Sequence, residues 1–265
     1  LKKEAVRQMA YHIAVVGDSC TDKYVYGSCE RLCPEGPVPV INEIESSSVL
    51  GMAGNTYNNI KALCHSTLSN IEFFSNDSKQ MEKIRFVDNK TNQLLLRHDR
   101  NDSCDIIEED VVNKIVESPY DLVVVSDYCK GFLNNEVIES IGKSSAFSII
   151  DTKRNVTKSI ADCFSFIKLN EYEYNKNRDN LADVDSSKLL ITLGGRGVFF
   201  KDKIYTPEKV INTFDVSGAG DVFTSSFSYR FMTTGDVEES IRFAQKCCCK
   251  VIQRRGTCVY EEDMD

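Results

Sequence analysis

An α/β fold is predicted: a central, mainly parallel sheet flanked by helices and carrying a small β-lid. Three observations predict it. Short, β-rich apolar runs alternate with helical patterns along the chain. Two regions break that alternation and have no helical period. The chain of 265 residues, 42% hydrophobic and 27% charged, is also long enough to bury roughly three quarters of its open-chain surface in one core. One domain over residues 1–265 is expected, because no repeat, low-complexity segment or Pro/Ser linker divides the sequence.

The first strand is HIAVV at 12–16. It follows the basic start Lys2, Lys3 and Arg7, but it is too short for a signal-peptide core and stops at Gly17-Asp18, so a buried strand is the better reading. DLVVV (121–125), FSII (147–150), FSFIK (164–168) and LLITL (189–193) read as its parallel neighbours. Helical spacing appears near 53–64, 108–117, 133–143, 219–233 and 236–252. The last opens on Asp236-x-x-Glu239, a capping-box-like start, and its apolar positions place the triplet Cys247, Cys248 and Cys249 in a helix packed on the sheet. The two exceptions are residues 23–50, with prolines at 34, 37 and 39, and the hairpin of 83–98 turning at Asp88-Asn89-Lys90. Together they form the lid.

Composition excludes several function classes. Thirty-two Lys+Arg against 40 Asp+Glu leave a net charge of −8, a poor balance for wrapping nucleic acid or lying on an anionic membrane. No apolar run approaches a membrane span. Eleven cysteines without a framework spacing, and only three histidines, fit reduced thiols in a cytoplasm better than disulfides or a zinc site.

The strongest local signal is Gly218-Ala219-Gly220-Asp221 at the start of a helix. Glycines there leave the first N–H groups bare, able with the helix dipole to hold a phosphate. Asp221 would repel that anion unless it has other work, such as accepting the proton of an attacking hydroxyl. Read alone, the motif is more simply a glycine turn with a helix-stabilising aspartate. Three companions add weight: Asn170-x-x-Glu173 after a strand, where a carboxylate can hold magnesium through water; Gly194-Gly195-x-Gly197 after another, where backbone can approach a nucleotide; and Gly17-Asp18 with Asp22 after the first. Neither GxxxxGK[ST] nor GxGxxG occurs, which excludes a Walker-type kinase and the dinucleotide fingerprint.

These residues resemble the ribokinase-like (PfkB-type) carbohydrate kinases: GAGD at 218–221 is similar to their C-terminal signature, NEYE at 170–173 to their magnesium motif, and GMAGN at 51–55 to their sugar-binding glycine motif. The stretch at 17–41, with SDYCKG at 126–131 and IDTK ending at Lys153, is most similar to the D-glycero-β-D-manno-heptose 7-phosphate kinases, the kinase half of ADP-heptose synthases. The resemblance implies Mg2+ as cofactor, ATP as co-substrate and a sugar phosphate as acceptor, phosphorylated at its anomeric oxygen. It implies Asp221 as general base; Gly218, Ala219 and Gly220 as an N–H anion hole; and Lys153 beside the transferred phosphoryl group. Asn170 and Glu173 would place magnesium and the nucleotide phosphates, with Glu173 on the metal side. Asp22, Gly51, Asn55 and Lys130 would face the sugar phosphate, and Thr192, Gly195 and Gly197 the nucleotide. A homodimer through the lid's strand edges is also expected.

Some alternatives stay open. Lys130 and Lys153 are ligands or ordinary lysines. Arg97 either reaches the acceptor's phosphate or is a solvated strand residue. Arg31 and Glu35 contact the sugar phosphate or pair across the lid. Met52 stands where the family has a glycine, and the passage between Ala62 and Ile84 is short, which leaves another sugar or a catalytically inactive binding protein as rival readings.

Overall fold

A computed structural model describes residues 10–209 and 213–261. Eight strands form the main sheet, in the order β12-β11-β10-β9-β8-β7-β1-β4. Strands β1 (His12–Gly17), β4 (Asn70–Phe74), β7 (Leu122–Asp127), β8 (Ser148–Thr152), β9 (Phe166–Asn170) and β10 (Leu189–Thr192) are parallel, and β11 (Val198–Phe200) and β12 (Lys203–Tyr205) complete one edge antiparallel. The parallel strands read as apolar runs because both faces are covered. On one face α2 (Glu109–Glu117), α3 (Asn135–Gly142) and α4 (Lys158–Cys163) enclose a core containing Val123, Val125, Ile150 and Ile167. On the other, α1 (Ala53–Leu63), α6 (Ala219–Thr234) and α7 (Val237–Val251) cover Ile13, Val15, Val124, Ile149 and Phe166. A short helix, α5 (Glu171–Lys176), follows β9.

The second sheet is the expected lid. Its order is β3-β2-β5-β6, built from β2 (Ser19–Leu32), β3 (Pro39–Met52), β5 (Glu82–Asp88) and β6 (Leu94–Arg100). Only Asp18 separates β1 from β2, so the lid grows straight out of the body's first strand. The β5–β6 turn runs over 88–93 rather than closing at Lys90, because the Asp88 carboxylate accepts from Thr91 N and Oγ1 and holds a wider loop. Tyr24 and Tyr26 stack at 6.2 Å, and the Tyr24 hydroxyl meets Thr257 at 2.9 Å, so both serve as lid packing.

All five expected strands and all five expected helices are present. In the short passage after Ala62, β4 persists while a single 3-10 turn at Ser78–Gln80 stands where a helix would lengthen the connection. Cys247 and Cys248 lie in α7 against α6 and the sheet as apolar side chains, and every described cysteine is free.

Candidate active site

The carboxyl ends of β1, β7, β8, β9 and β10 open toward one edge of the sheet, where ligands of such folds bind. Helix α6 starts above that edge. Its N-cap, Gly218, has φ +76°, a left-handed conformation that glycine adopts without cost. A Cβ on it would lie 2.6 Å from Asn55 Nδ2. The glycine thus lets the helix mouth come down onto α1.

Asp221, in the first turn, is buried, only 3% exposed. Asn55 Nδ2 donates to its Oδ2 at 2.9 Å and the Tyr128 hydroxyl donates to its Oδ1 at 2.7 Å. Burial pushes the carboxyl up to about 6, while Tyr128 and Asn55 pull it back by stabilising the anion. Asn55 is oriented in turn: Asn59 Nδ2 donates to its Oδ1 at 3.0 Å, and Asn59 Oδ1 accepts from Tyr260 N at 2.8 Å. The wiring therefore has one direction, from Tyr260 through two amides to the carboxylate. Tyr128 is anchored through its backbone, since Asp18 accepts from the amides of Tyr128, Lys130 and Phe132.

Beside Asp221 lies a buried cation that the sequence pattern does not single out. Lys168 on β9 is 3% exposed and pairs with Asp151 on β8 at 2.8 Å. It sits directly under the helix mouth, 3.0 Å from where a Gly220 Cβ would stand. Its only sequence signal is a lysine inside an otherwise apolar strand. Lys168→Met should destabilise the fold by about 3–5 kcal/mol by stranding the Asp151 charge. Urea denaturation measures that loss, and Lys168→Met combined with Asp151→Asn should recover part of it.

Asn170 and Glu173 form a full capping box for α5: Asn170 Oδ1 accepts from Glu173 N at 2.9 Å, and Glu173 Oε2 accepts from Asn170 N at 2.8 Å. The other oxygen of Glu173 pairs with Lys153. Burial works against the Lys153 charge, but Asp151 and Glu173 outweigh it and hold the lysine above its ordinary value.

Thr192, Gly195, Gly197, Ala219 and Gly220 line one cleft of about 270 Å³, closed by Phe223, Gln245, Cys248, Cys249 and Ile252. Among the expected anion-hole donors, the Ala219 amide is turned back onto Val216 O at 3.2 Å. Asp221 is not among the residues lining this cleft, and its two oxygens are covered by Asn55 and Tyr128.

The remaining expected site residues lie on the lid strands and on the loop after β7. Asp22 pairs with Arg85 at 2.5 Å and accepts from Thr257 at 3.3 Å. Gly51 lies against it, where any Cβ would stand 2.3 Å from Asp22 Oδ2. Lys130 is held by Asp102 at 2.5 Å. Arg97 is an exposed strand residue engaged by Asp99. Met52 has φ +57°, which explains why a glycine suits this position; its buried side chain packs with Cys20 and Met81.

A profile of pfkB family carbohydrate kinases matches residues 58–264. Among curated proteins, the chain is 29% identical over 294 residues to the bifunctional protein HldE of Sulfurimonas denitrificans, covering 92% of this chain and 61% of that one. It is 28% identical over 293 residues to the bifunctional protein HldE of Campylobacter fetus, covering 93% and 64%. The chain thus spans about three fifths of the length of these relatives. Among solved structures, the ribokinase of Thermotoga maritima superposes with a TM-score of 0.67 at 17% identity, covering 96% of this chain and 98% of that one. Phosphofructokinase-2 of Escherichia coli does so with a TM-score of 0.69 at 12% identity, covering 96% of each. Likeness at these identities shows the shared ribokinase-like fold. Most of the sequence answers to a single family profile, and the chain belongs to the pfkB family of carbohydrate kinases.

Proposed function

We propose that this chain transfers the γ-phosphoryl group of ATP to the anomeric oxygen of D-glycero-β-D-manno-heptose 7-phosphate, giving the 1,7-bisphosphate. The observation that carries the kinase part is the carboxylate of Asp221 at the glycine-opened mouth of α6, one residue from Gly220, which lines the neighbouring cleft. The heptose part rests on the 17–41 stretch and on relatives named HldE.

In this reading ATP fills the cleft lined by Thr192, Gly195 and Gly197, and its terminal phosphate reaches the first turn of α6. The acceptor hydroxyl takes the place of the Tyr128 hydroxyl on Asp221. Asp221 removes its proton, the freed oxygen forms a bond to the γ-phosphorus, and the bond from that phosphorus to the bridging oxygen breaks to release ADP. Lys153 faces the charge on the transferred group. The lid shields the transfer from water.

Magnesium fits the donors present. Among the described residues, no cluster of three or more His, Cys, Asp or Glu side chains is placed to hold a metal ion by itself. Asp151 Oδ1 is buried without a hydrogen-bond partner among the described residues, and Glu173, whose oxygens are shared with Asn170 N and Lys153, would be the second carboxylate. One or two carboxylates are what a magnesium carried on nucleotide phosphates needs. When bound it would neutralise phosphate charge.

The test is sugar-dependent ADP release across a panel of sugars and sugar phosphates. We expect heptose 7-phosphate to be preferred and chelation of magnesium to abolish release. Preference for an unphosphorylated hexose would overturn the heptose assignment, and no release with any sugar would favour a binding-only protein.

A homodimer through the lid belongs to the same proposal. The lid exposes Leu32, Val38, Ile44, Leu94 and Leu96, more apolar surface than scattered single residues account for. Light scattering at micromolar protein should give twice the chain mass, and Ile44→Asp with Leu96→Glu should return it to one.

A further inference from the structure

We propose that Lys83, on strand β5 of the lid, binds the anionic substituent of the acceptor and so selects phosphorylated over unphosphorylated sugars. The inference rests on the kinase reading above and deepens it.

Around the helix mouth nearly every charge has its counterpart. Arg85 holds Asp22, Lys130 holds Asp102, Lys153 holds Glu173 and Lys168 holds Asp151. Asp18 is spent on three backbone amides, and Asp221 on Tyr128 and Asn55. Lys83 stands outside this scheme. It is half-buried, and its cross-strand neighbours are both carboxylates, Asp22 on β2 and Asp99 on β6. Each neighbour is engaged elsewhere, Asp22 by Arg85 and Asp99 by a two-pronged contact from Arg97. Among the described residues no carboxylate pairs with the Lys83 ammonium. It lies instead over the Tyr128 ring, 5.4 Å from the centroid.

That position has chemical meaning. Lys153 lies at the same 5.4 Å from the same ring. Two ammonium groups thus share one aromatic side chain, whose hydroxyl ends on Asp221. Lys153 comes from the end of β8 on the nucleotide side, and Lys83 comes from the lid. A half-buried ammonium with only a ring for partner, near a second cation, is stabilised most by an incoming anion. An acceptor whose reacting hydroxyl sits at Asp221 would extend its far end beneath the lid, toward Lys83. A phosphoryl group there would give Lys83 the charge partner its own sheet withholds. The lid would then be drawn down only by acceptors that carry that charge.

The experiment compares wild type with Lys83→Met and Lys83→Arg. Heptose 7-phosphate and unphosphorylated heptose are titrated by calorimetry, and each is used as acceptor in steady-state assays with ATP. Loss of one charge-assisted contact should weaken heptose 7-phosphate binding and raise its KM by about tenfold to a hundredfold. The KM for ATP and the constants for unphosphorylated heptose should stay within about twofold, and Lys83→Arg should restore most of the difference. Equal weakening for both sugars, a rise in the KM for ATP alone, or no change in Lys83→Met would overturn the inference while wild-type turnover leaves the kinase reading standing. Absence of sugar-dependent turnover in wild type would instead remove the kinase reading, and calorimetry would still show whether Lys83 holds the phosphate.

Discussion

Asp221→Asn should lower kcat by about 10²–10⁴ with little change in the KM for ATP. The loss has two parts. An amide cannot accept the proton of the acceptor hydroxyl. It also changes its own setting: with its Oδ1 kept on Asn55 Nδ2, the introduced NH₂ meets the Tyr128 hydroxyl, which must then accept where it had donated. Asp221→Ala separates the two, because it removes the base without adding a donor. Both variants should show a loss of that order, and near-normal turnover in either would take Asp221 out of the base role. The wild-type pH profile gives a second reading. Burial raises this carboxyl to about 6, and a base must be deprotonated, so kcat/KM should be full above that value and fall as the pH drops through it. Stability should run the opposite way. The folded state holds the proton more tightly than the unfolded chain, whose aspartate titrates near 3.8, so the contribution of this group declines as pH rises between the two values.

Gly218→Ala should cost both stability and turnover, and a companion variant tells the two apart. At φ +76° any L side chain is strained by about 1–2 kcal/mol. The new Cβ would also press on Asn55 Nδ2, 2.6 Å away, and on Thr257 Cγ2 at 3.0 Å. Asn55 must move, and the first turn of α6 with it. Loss of an aligned anion-hole donor is worth roughly 10²–10³ in kcat. Gly235, at the other end of the same helix, has φ +71°, and a Cβ added there would meet nothing within 4 Å. Gly235→Ala should therefore lose a similar increment of stability, read as a lower Tm, while keeping its turnover. Equal kinetics in the two variants would show that the mouth of α6 has no special role.

The frame of the fold was legible because burial leaves a simple trace: HIAVV, DLVVV and LLITL are apolar because helices cover both faces. What escaped follows a single physical cause. Strands β8 and β9 run two residues further than their apolar stretches suggest, through Asp151-Thr152 and Leu169-Asn170. Polar residues at a strand's carboxyl end look like the start of a loop, yet here Asp151 and Thr152 are buried and satisfied by partners on neighbouring elements, Lys168 and Asp127. Lys168 was hidden in the same way. Strand β4, NIEFF, is only partly buried and interrupted by Glu72, and β11 and β12, three residues each, are too short to carry a period. Tyr128 lay inside a recognised segment, but nothing in SDYCKG tells which side chain turns toward a residue 93 positions away. Asn170-x-x-Glu173 shows the converse: the spacing that resembles a magnesium motif is also the spacing of a capping box, and the capping box is what these two side chains form.

Asp18 sits at the pivot between body and lid. Its main-chain carbonyl accepts from Ala53, the first residue of α1, and its carboxylate grips the loop that carries Tyr128. A hinge that is also an anchor cannot turn without tugging what it anchors. Any swing of the β2 arm about Asp18 would therefore be geared to the loop of Tyr128, whose hydroxyl covers Asp221, so arm and cover belong to one mechanical train.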